Sequence, residues 1–170
     1  MTIAFISHAD CAMHETTSYH PDTAERLAAI HDRLIASGLE MIMHFYDAPM
    51  VSVEQLCRVH DADYVSEIFQ KLQDNERVWL DADTLMVSAS LTAAQRGAGA
   101  VVKAVDLVMS QDANSAFCCV RPPGHHAEHN KAMGFCIFNN VAVGVAHAIA
   151  QYGLERVAII DFDAHHGNGT

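Results

Sequence analysis

Residues 157–170 read VAIIDFDAHHGNGT. Val157, Ala158, Ile159 and Ile160 form a short unbroken apolar run, the pattern of a strand covered on both faces of a parallel sheet. Asp161, Asp163 and His165 follow at intervals of two. If the backbone stays extended, their side chains leave one face. Two carboxylates and an imidazole gathered at the carboxyl end of a buried strand repel one another and lose solvent unless a cation lies between them. Oxygen and nitrogen donors of this kind suit zinc, whose hydrolytic sites use three protein ligands and keep one position for water. Open α/β sheets also gather ligands at the carboxyl ends of their strands. The competing reading makes Asp161 and Asp163 turn caps and leaves His165 and His166 as loop surface.

Upstream, apolar runs alternate with helical patterns. Residues 2–7 read as a first strand, 41–46 as a second and 116–120 as a third, the last stopped by Arg121-Pro122-Pro123. Asp22 with Glu25 resembles a capping box opening a helix with Leu27, Ile30 and Leu34 on one face and Gly38 as its C-terminal cap. Ser52 with Gln55 marks another helix start. Asp61 opens a third helix, with Val65, Ile68, Phe69 and Leu72 on its face. Residues 74–84 are polar and predict a loop. Ser88–Met109 is the longest helical signal, and its Gly97 and Gly99 predict close approach by a neighbour. Asn140 opens a last helix with Val141, Val145 and Ile149 on one side and Gly153 beyond its end. Strands alternating with helices predict right-handed βαβ units and a parallel sheet, in one domain or part of one.

The 170 residues, 51% hydrophobic and 18% charged, suffice for one sizeable core. The net charge of −11 argues against a protein that grips nucleic acid by its phosphates, and leaves open a cationic substrate such as a lysine-bearing peptide or a polyamine. The five cysteines include no C-x-x-C pair, and Cys118 and Cys119, inside an apolar run, read as small buried hydrophobes of a reducing compartment. No secretory signal or membrane-length apolar window is present, so a cytoplasmic location is the expectation and no membrane partner is foreseen. Oligomeric state leaves no trace in the sequence. Ending within a polar, structured loop suggests a truncated chain.

The loop after the third strand reads RPPGHHAEHNKAMGFCIFNN. His125 and His126 follow a stiff Pro-Pro-Gly, at the sheet edge where the Asp-x-Asp-x-His stretch also ends. A histidine near an activated water is a natural general base, and a second serves as acid or holds charge. Each needs a partner to fix its tautomer, and Asp161 and Asn168 are the candidates. A carboxylate partner favours an imidazolium, whereas an amide leaves the ring neutral and able to accept a proton.

RPPGHHAE, GFCIFNN and DFDAHHGNG, with HPDTAERL and LDADT before them, resemble the zinc-dependent histone deacetylase family, in its class-II-like bacterial branch that includes acetylpolyamine amidohydrolases. The resemblance covers essentially the whole chain. It implies an α/β fold of the arginase/deacetylase kind, a parallel sheet flanked by helices, with residues 1–170 as the N-terminal part of a single catalytic domain. It implies Zn2+ held by Asp163 and His165, with a third ligand beyond Thr170. His126 would be the general base and His125 its acid partner, with Asp161 beside His125 and Asn168 beside His126. Asp161 would also serve a monovalent-cation site, K+. Gly134 and Phe135 would line the acyl-lysine channel, Asp81 or Asp83 would sit at its rim, and Arg26 near an inner exit cavity. The substrates implied are acetylated lysine peptides or acetylpolyamines. The family's oxyanion-stabilising Tyr or His would also lie beyond Thr170, so the chain alone is expected to be inactive. Two other readings stay open: a manganese ureohydrolase of the arginase kind, and a non-catalytic acyl-lysine-binding scaffold. The first shares the Asp-Ala-His run but wants an Asp where Gly167 stands.

Overall fold

A computed structural model describes residues 2–71 and 77–170. Its sheet has three parallel strands in the order β2–β1–β5, with β1 at Ile3–Ser7, β2 at Met43–Asp47 and β5 at Ser115–Cys118. Ile3 stands opposite Met43 and Ser115, and Ile6 opposite Tyr46 and Cys118. Parallel neighbours require crossovers, and helices supply them. α1 (Glu25–Ser37) links β1 to β2; α2 (Val53–Leu56), α3 (Ala62–Gln70) and α4 (Ser88–Met109) lie between β2 and β5. α5 (Asn140–Tyr152) follows the histidine loop.

Side-chain alternation along β1 divides the sheet's two covers. Ala4 and Ile6 are buried with Ala100 and Leu107 of α4. Phe5 faces the other way, its ring 5.0 Å from Phe45, 5.9 Å from Phe117 and 6.2 Å from His31 of α1. A second core joins Leu56, Val65, Ile68, Val102, Phe138 and Val143. The close approach expected at the α4 glycines is present. A Cβ on Gly99 would stand 2.8 Å from the Pro49 carbonyl carbon, and one on Gly97 3.2 Å from the Asn140 amide.

Several local expectations change. Residues 157–160 join no strand ladder among the described residues. Val157 and Ile159 are each 41% exposed and Ile160 86%, because no strand or helix of the described chain lies over them. Ile159 and Ile160 line an open cleft with Cys118, Val120 and Val141, and Val157 lines another with Ala116 and Ala148. Residues 77–84 are not all loop: β3 (Arg77–Trp79) pairs antiparallel with β4 (Leu85–Val87), strands too short to show a period. Residues 72–76, including the expected face residue Leu72, lie outside the described residues. Asp22 caps no helix; α1 starts after Ala24 without a side-chain cap, since Asp22 is engaged elsewhere. α5 is capped by Asn139, one residue before the expected opening. α5 buries Val143, Gly144, His147 and Ala148 while Val141 and Ile149 are exposed, because Gly144 brings it flush against Val101 of α4. The Ser52–Gln55 capping box, the Asp61 cap and the left-handed Gly38 and Gly153 termini form as their sequences predict.

Candidate active site

The loop leaving β5 is anchored before it reaches its histidines. Arg121 is 0% exposed. Its Nε donates to Asp22 Oδ1 at 2.8 Å and Nη2 to Asp22 Oδ2 at 3.2 Å, with further bonds from Nη2 to the Asp22 carbonyl and from Nη1 to that of Cys11. His14 extends the network. Its Nε2 lies 3.6 Å from Asp22 Oδ2, and its Nδ1 2.7 Å from Ser90 Oγ. Ser90 Oγ also accepts the Val87 N–H at 2.8 Å, which ties the His14 ring to the start of α4. Burial first, then the Arg121 charge, depresses the His14 pKa to about 4.

A second histidine braces the loop from the opposite side. The buried His60 donates from Nδ1 to the Glu128 carbonyl at 2.9 Å and accepts the Asn139 N–H at Nε2 at 3.0 Å. Both bonds require a neutral ring, and burial holds its pKa below the usual histidine value. Asn139 in turn donates to Thr170 Oγ1 at 3.1 Å, and the Gly169 N–H to the His125 carbonyl at 2.9 Å. These bonds fasten the last residues onto the histidine loop.

The expected pairs meet. His125 Nδ1 lies 2.9 Å from Asp161 Oδ2, and His126 Nδ1 lies 2.8 Å from Asn168 Oδ1. The two ring centroids are 4.1 Å apart, and that of His126 is 6.0 Å from the ring of His165. Asp163 Oδ1 stands 3.0 Å from His165 Nδ1, giving one carboxylate and one imidazole with the donor chemistry of a divalent cation. Among the described residues no cluster of three or more His, Cys, Asp or Glu forms a metal site. The turn-cap reading is also partly realised. Asp161 Oδ1 accepts the Asp163 N–H at 3.0 Å, and Asp163 Oδ1 the His165 N–H at 2.7 Å. Asp161 is held below the usual carboxylate range by the hydrogen bond from His125 and then by that N–H. Asp163 is lowered by the His165 N–H first and by its ring second. All of these groups are at least partly open to solvent, so they converge without the burial expected of a strand tip.

Gly134 abuts His126 directly: with φ +56° it has no room for a Cβ, which would stand 2.7 Å from His126 Cγ. Phe135 also has positive φ, +67°; its N–H donates to Thr84 Oγ1, and its ring lies 4.3 Å from that of His20. His20 Nε2 is 3.3 Å from the Asp83 carbonyl, which brings that residue beside Phe135. The Asp81 carboxylate is engaged by Lys131 at 3.6 Å. Arg26 is exposed and donates to the Val120 carbonyl at 2.6 Å. The roles of Asp22, His14, His60 and Glu128 carry no sequence signal, because each partner is remote in the chain.

Residues 20–170 match the histone deacetylase domain. The chain belongs to the histone deacetylase family. This histone deacetylase family chain is 42% identical over 150 residues to a histone deacetylase-like amidohydrolase of Pseudomonas aeruginosa, covering 88% of this chain and 38% of that protein. A probable deacetylase of Archaeoglobus fulgidus is 35% identical over 173 residues, covering 100% and 47%. The mouse polyamine deacetylase HDAC10 is 38% identical over 151 residues, covering 85% and 22%. The crystal structure of the HDA15 HD domain superposes with a TM-score of 0.92 at 31% identity, covering 99% of this chain and 48% of that one. The parallel sheet flanked by helices is therefore the deacetylase fold. The chain spans about half the length, or less, of these relatives. Among the described residues no helix is long and apolar enough to cross a membrane.

Proposed function

We propose that this chain supplies the histidine pair and two of the metal ligands of a zinc-dependent amidohydrolase that removes acetyl or other acyl groups from lysine side chains or polyamines. The observation that carries this reading is the difference between the two histidine partners: a carboxylate for His125 and an amide oxygen for His126. An amide oxygen only accepts, so His126 donates from Nδ1 and keeps its lone pair on Nε2, ready to take a proton from water. His125, held at Nδ1 by the Asp161 carboxylate, is the ring that would give a proton to the departing amine.

The donor set fits zinc in part. Asp163 and His165 would hold it, a carboxylate and an imidazole whose Oδ1 and Nδ1 are 3.0 Å apart, both donor types that zinc takes. When bound, zinc supplies Lewis-acid polarisation of the acyl carbonyl and of water. The third ligand and the oxyanion donor are proposed to come from residues outside 1–170, in keeping with the extra length of the relatives. Asp161 is further proposed to serve a K+ site. The ureohydrolase reading is disfavoured at Gly167. A side chain there would stand 2.5 Å from Asp161 Oδ2 and 3.0 Å from His125 Nδ1, leaving no place for the Asp that signature wants.

The test is turnover of an acetyl-lysine peptide and an acetylpolyamine by the intact zinc-loaded protein, with and without His126→Ala. General-base loss costs about 10²–10⁴-fold in kcat. Undiminished turnover in the variant refutes His126 as the base, and no turnover in the parent leaves only the acyl-lysine-binding scaffold.

A further inference from the structure

Asn168 can orient His126 only if its own amide is prevented from turning over. A half-turn about its terminal bond exchanges oxygen for NH2, and a donor would then face His126 Nδ1. The ring would answer by moving its proton to Nε2, where no base remains. Something must therefore distinguish the two ends of that amide.

The structure provides it in Glu128, two residues after His126. Asn168 Nδ2 donates to Glu128 Oε1 at 2.8 Å and lies 3.5 Å from Met133 Sδ, so both N–H groups point at acceptors. A carboxylate accepts and never donates when ionised. The flipped amide would set its oxygen against that carboxylate, which is repulsive. The placement of Glu128 is itself enforced: its carbonyl accepts from the buried His60, and its N–H donates to the Lys131 carbonyl at 2.9 Å.

We propose that Glu128 is a positioning residue that locks the Asn168 amide and so selects the Nδ1–H tautomer of His126. The proposal rests on His126 being the base. Glu128 touches neither reacting atoms nor ligand; it acts through Asn168. Three groups in a row, Glu128–Asn168–His126, convert a fixed negative charge into a fixed neutral tautomer without putting a carboxylate on the ring. That sets His126 apart from His125, whose carboxylate contact is direct.

The test reads the tautomer itself, by 15N NMR of the imidazole side chains in the intact protein. The parent and Glu128→Gln are expected to carry the His126 proton on Nδ1, since a glutamine Oε1 still accepts from the amide. Glu128→Leu is expected to show both tautomers, and Glu128→Lys, whose ammonium only donates, the Nε2–H form. In turnover, Glu128→Leu is expected to lose about tenfold or more in kcat with KM nearly unchanged, and Glu128→Gln to recover most of that loss. Should Glu128→Leu fold poorly, the Gln and Lys variants, both long and polar on this half-buried site, carry the comparison. An Nδ1–H tautomer that persists in Glu128→Lys overturns the proposal whatever the activity. Failure of His126 as the base looks different: the tautomer shifts as expected, yet His126→Ala leaves turnover untouched; failure of the hydrolase reading is a tautomer shift in a parent that shows no turnover.

Discussion

Asp22→Ala is expected to be the most damaging single change away from the histidines. Arg121 is wholly buried, and Asp22 supplies the only carboxylate that it bonds among the described residues. Removing one member of a buried ion pair leaves the other charged and unpaired in low dielectric, at a cost of about 3–5 kcal/mol. For a chain of 170 residues each kcal/mol moves Tm by about 2–4 °C, so the melting point should fall by roughly 10 °C. Asp22→Asn, which keeps the shape and one acceptor, should lose about 1–3 kcal/mol. Asp32→Ala on exposed α1 surface should stay within about 0.5 kcal/mol. Thermal melts and urea unfolding at neutral pH measure all three. An Asp22→Ala protein melting within about 2 °C of its parent would show that water reaches the guanidinium, and the argument for a rigid base beneath the histidine loop would fail.

Acid should destabilise the fold before the carboxylates titrate. His14 is 3% exposed, with a pKa lowered from 6.5 to about 4. Its contribution is full above pH 6.5 and is lost as pH falls toward 4, because the unfolded chain binds a proton that the folded one refuses; the loss is roughly 3 kcal/mol. His60 shifts in the same direction, while the lowered Asp161 and Asp163 act only below their ordinary 3.8. Urea midpoints at pH 7 and pH 5 that coincide would contradict this, and His14→Gln should flatten the slope. Gly134→Ala combines a left-handed backbone with a Cβ driven into His126, so it should lose about 1–3 kcal/mol and displace the ring. Parent-like melting together with an unmoved His126 side-chain NMR signal would refute the contact.

What the sequence made legible was local. Ser52 and Gln55 satisfy each other across three residues, and Gly38 and Gly153 end their helices by backbone conformation alone. Nothing in a window of that size reveals that Asp22 belongs to Arg121, 99 residues away, rather than to the helix beside it. The buried-strand reading of residues 157–160 failed for a related reason. An apolar run shows what would be stable under cover, but the cover and the ladder partners must come from elsewhere in the chain. The same limit explains α5, where Val141, Val145 and Ile149 keep a helical period but Gly144, with no side chain, decides which side packs.

The pairing of His125 with Asp161 and of His126 with Asn168 formed even though the expected strand did not, which separates two sources of order. Hydrogen bonds from Gly169 and Asn139 hold the last residues to the histidine loop, and the Asp161 and Asp163 carboxylates shape their own turns. Loop-to-loop bonds of this kind depend on a few polar atoms at fixed separations, so they can set the geometry of the four pairing groups without sheet burial. The histidine loop itself is fixed from below by Arg121 and from the side by His60, both through backbone or carboxylate oxygens. Disturbing either brace should therefore alter the orientation of both histidines, whereas exposing or covering residues 157–160 should change stability more than the pairing.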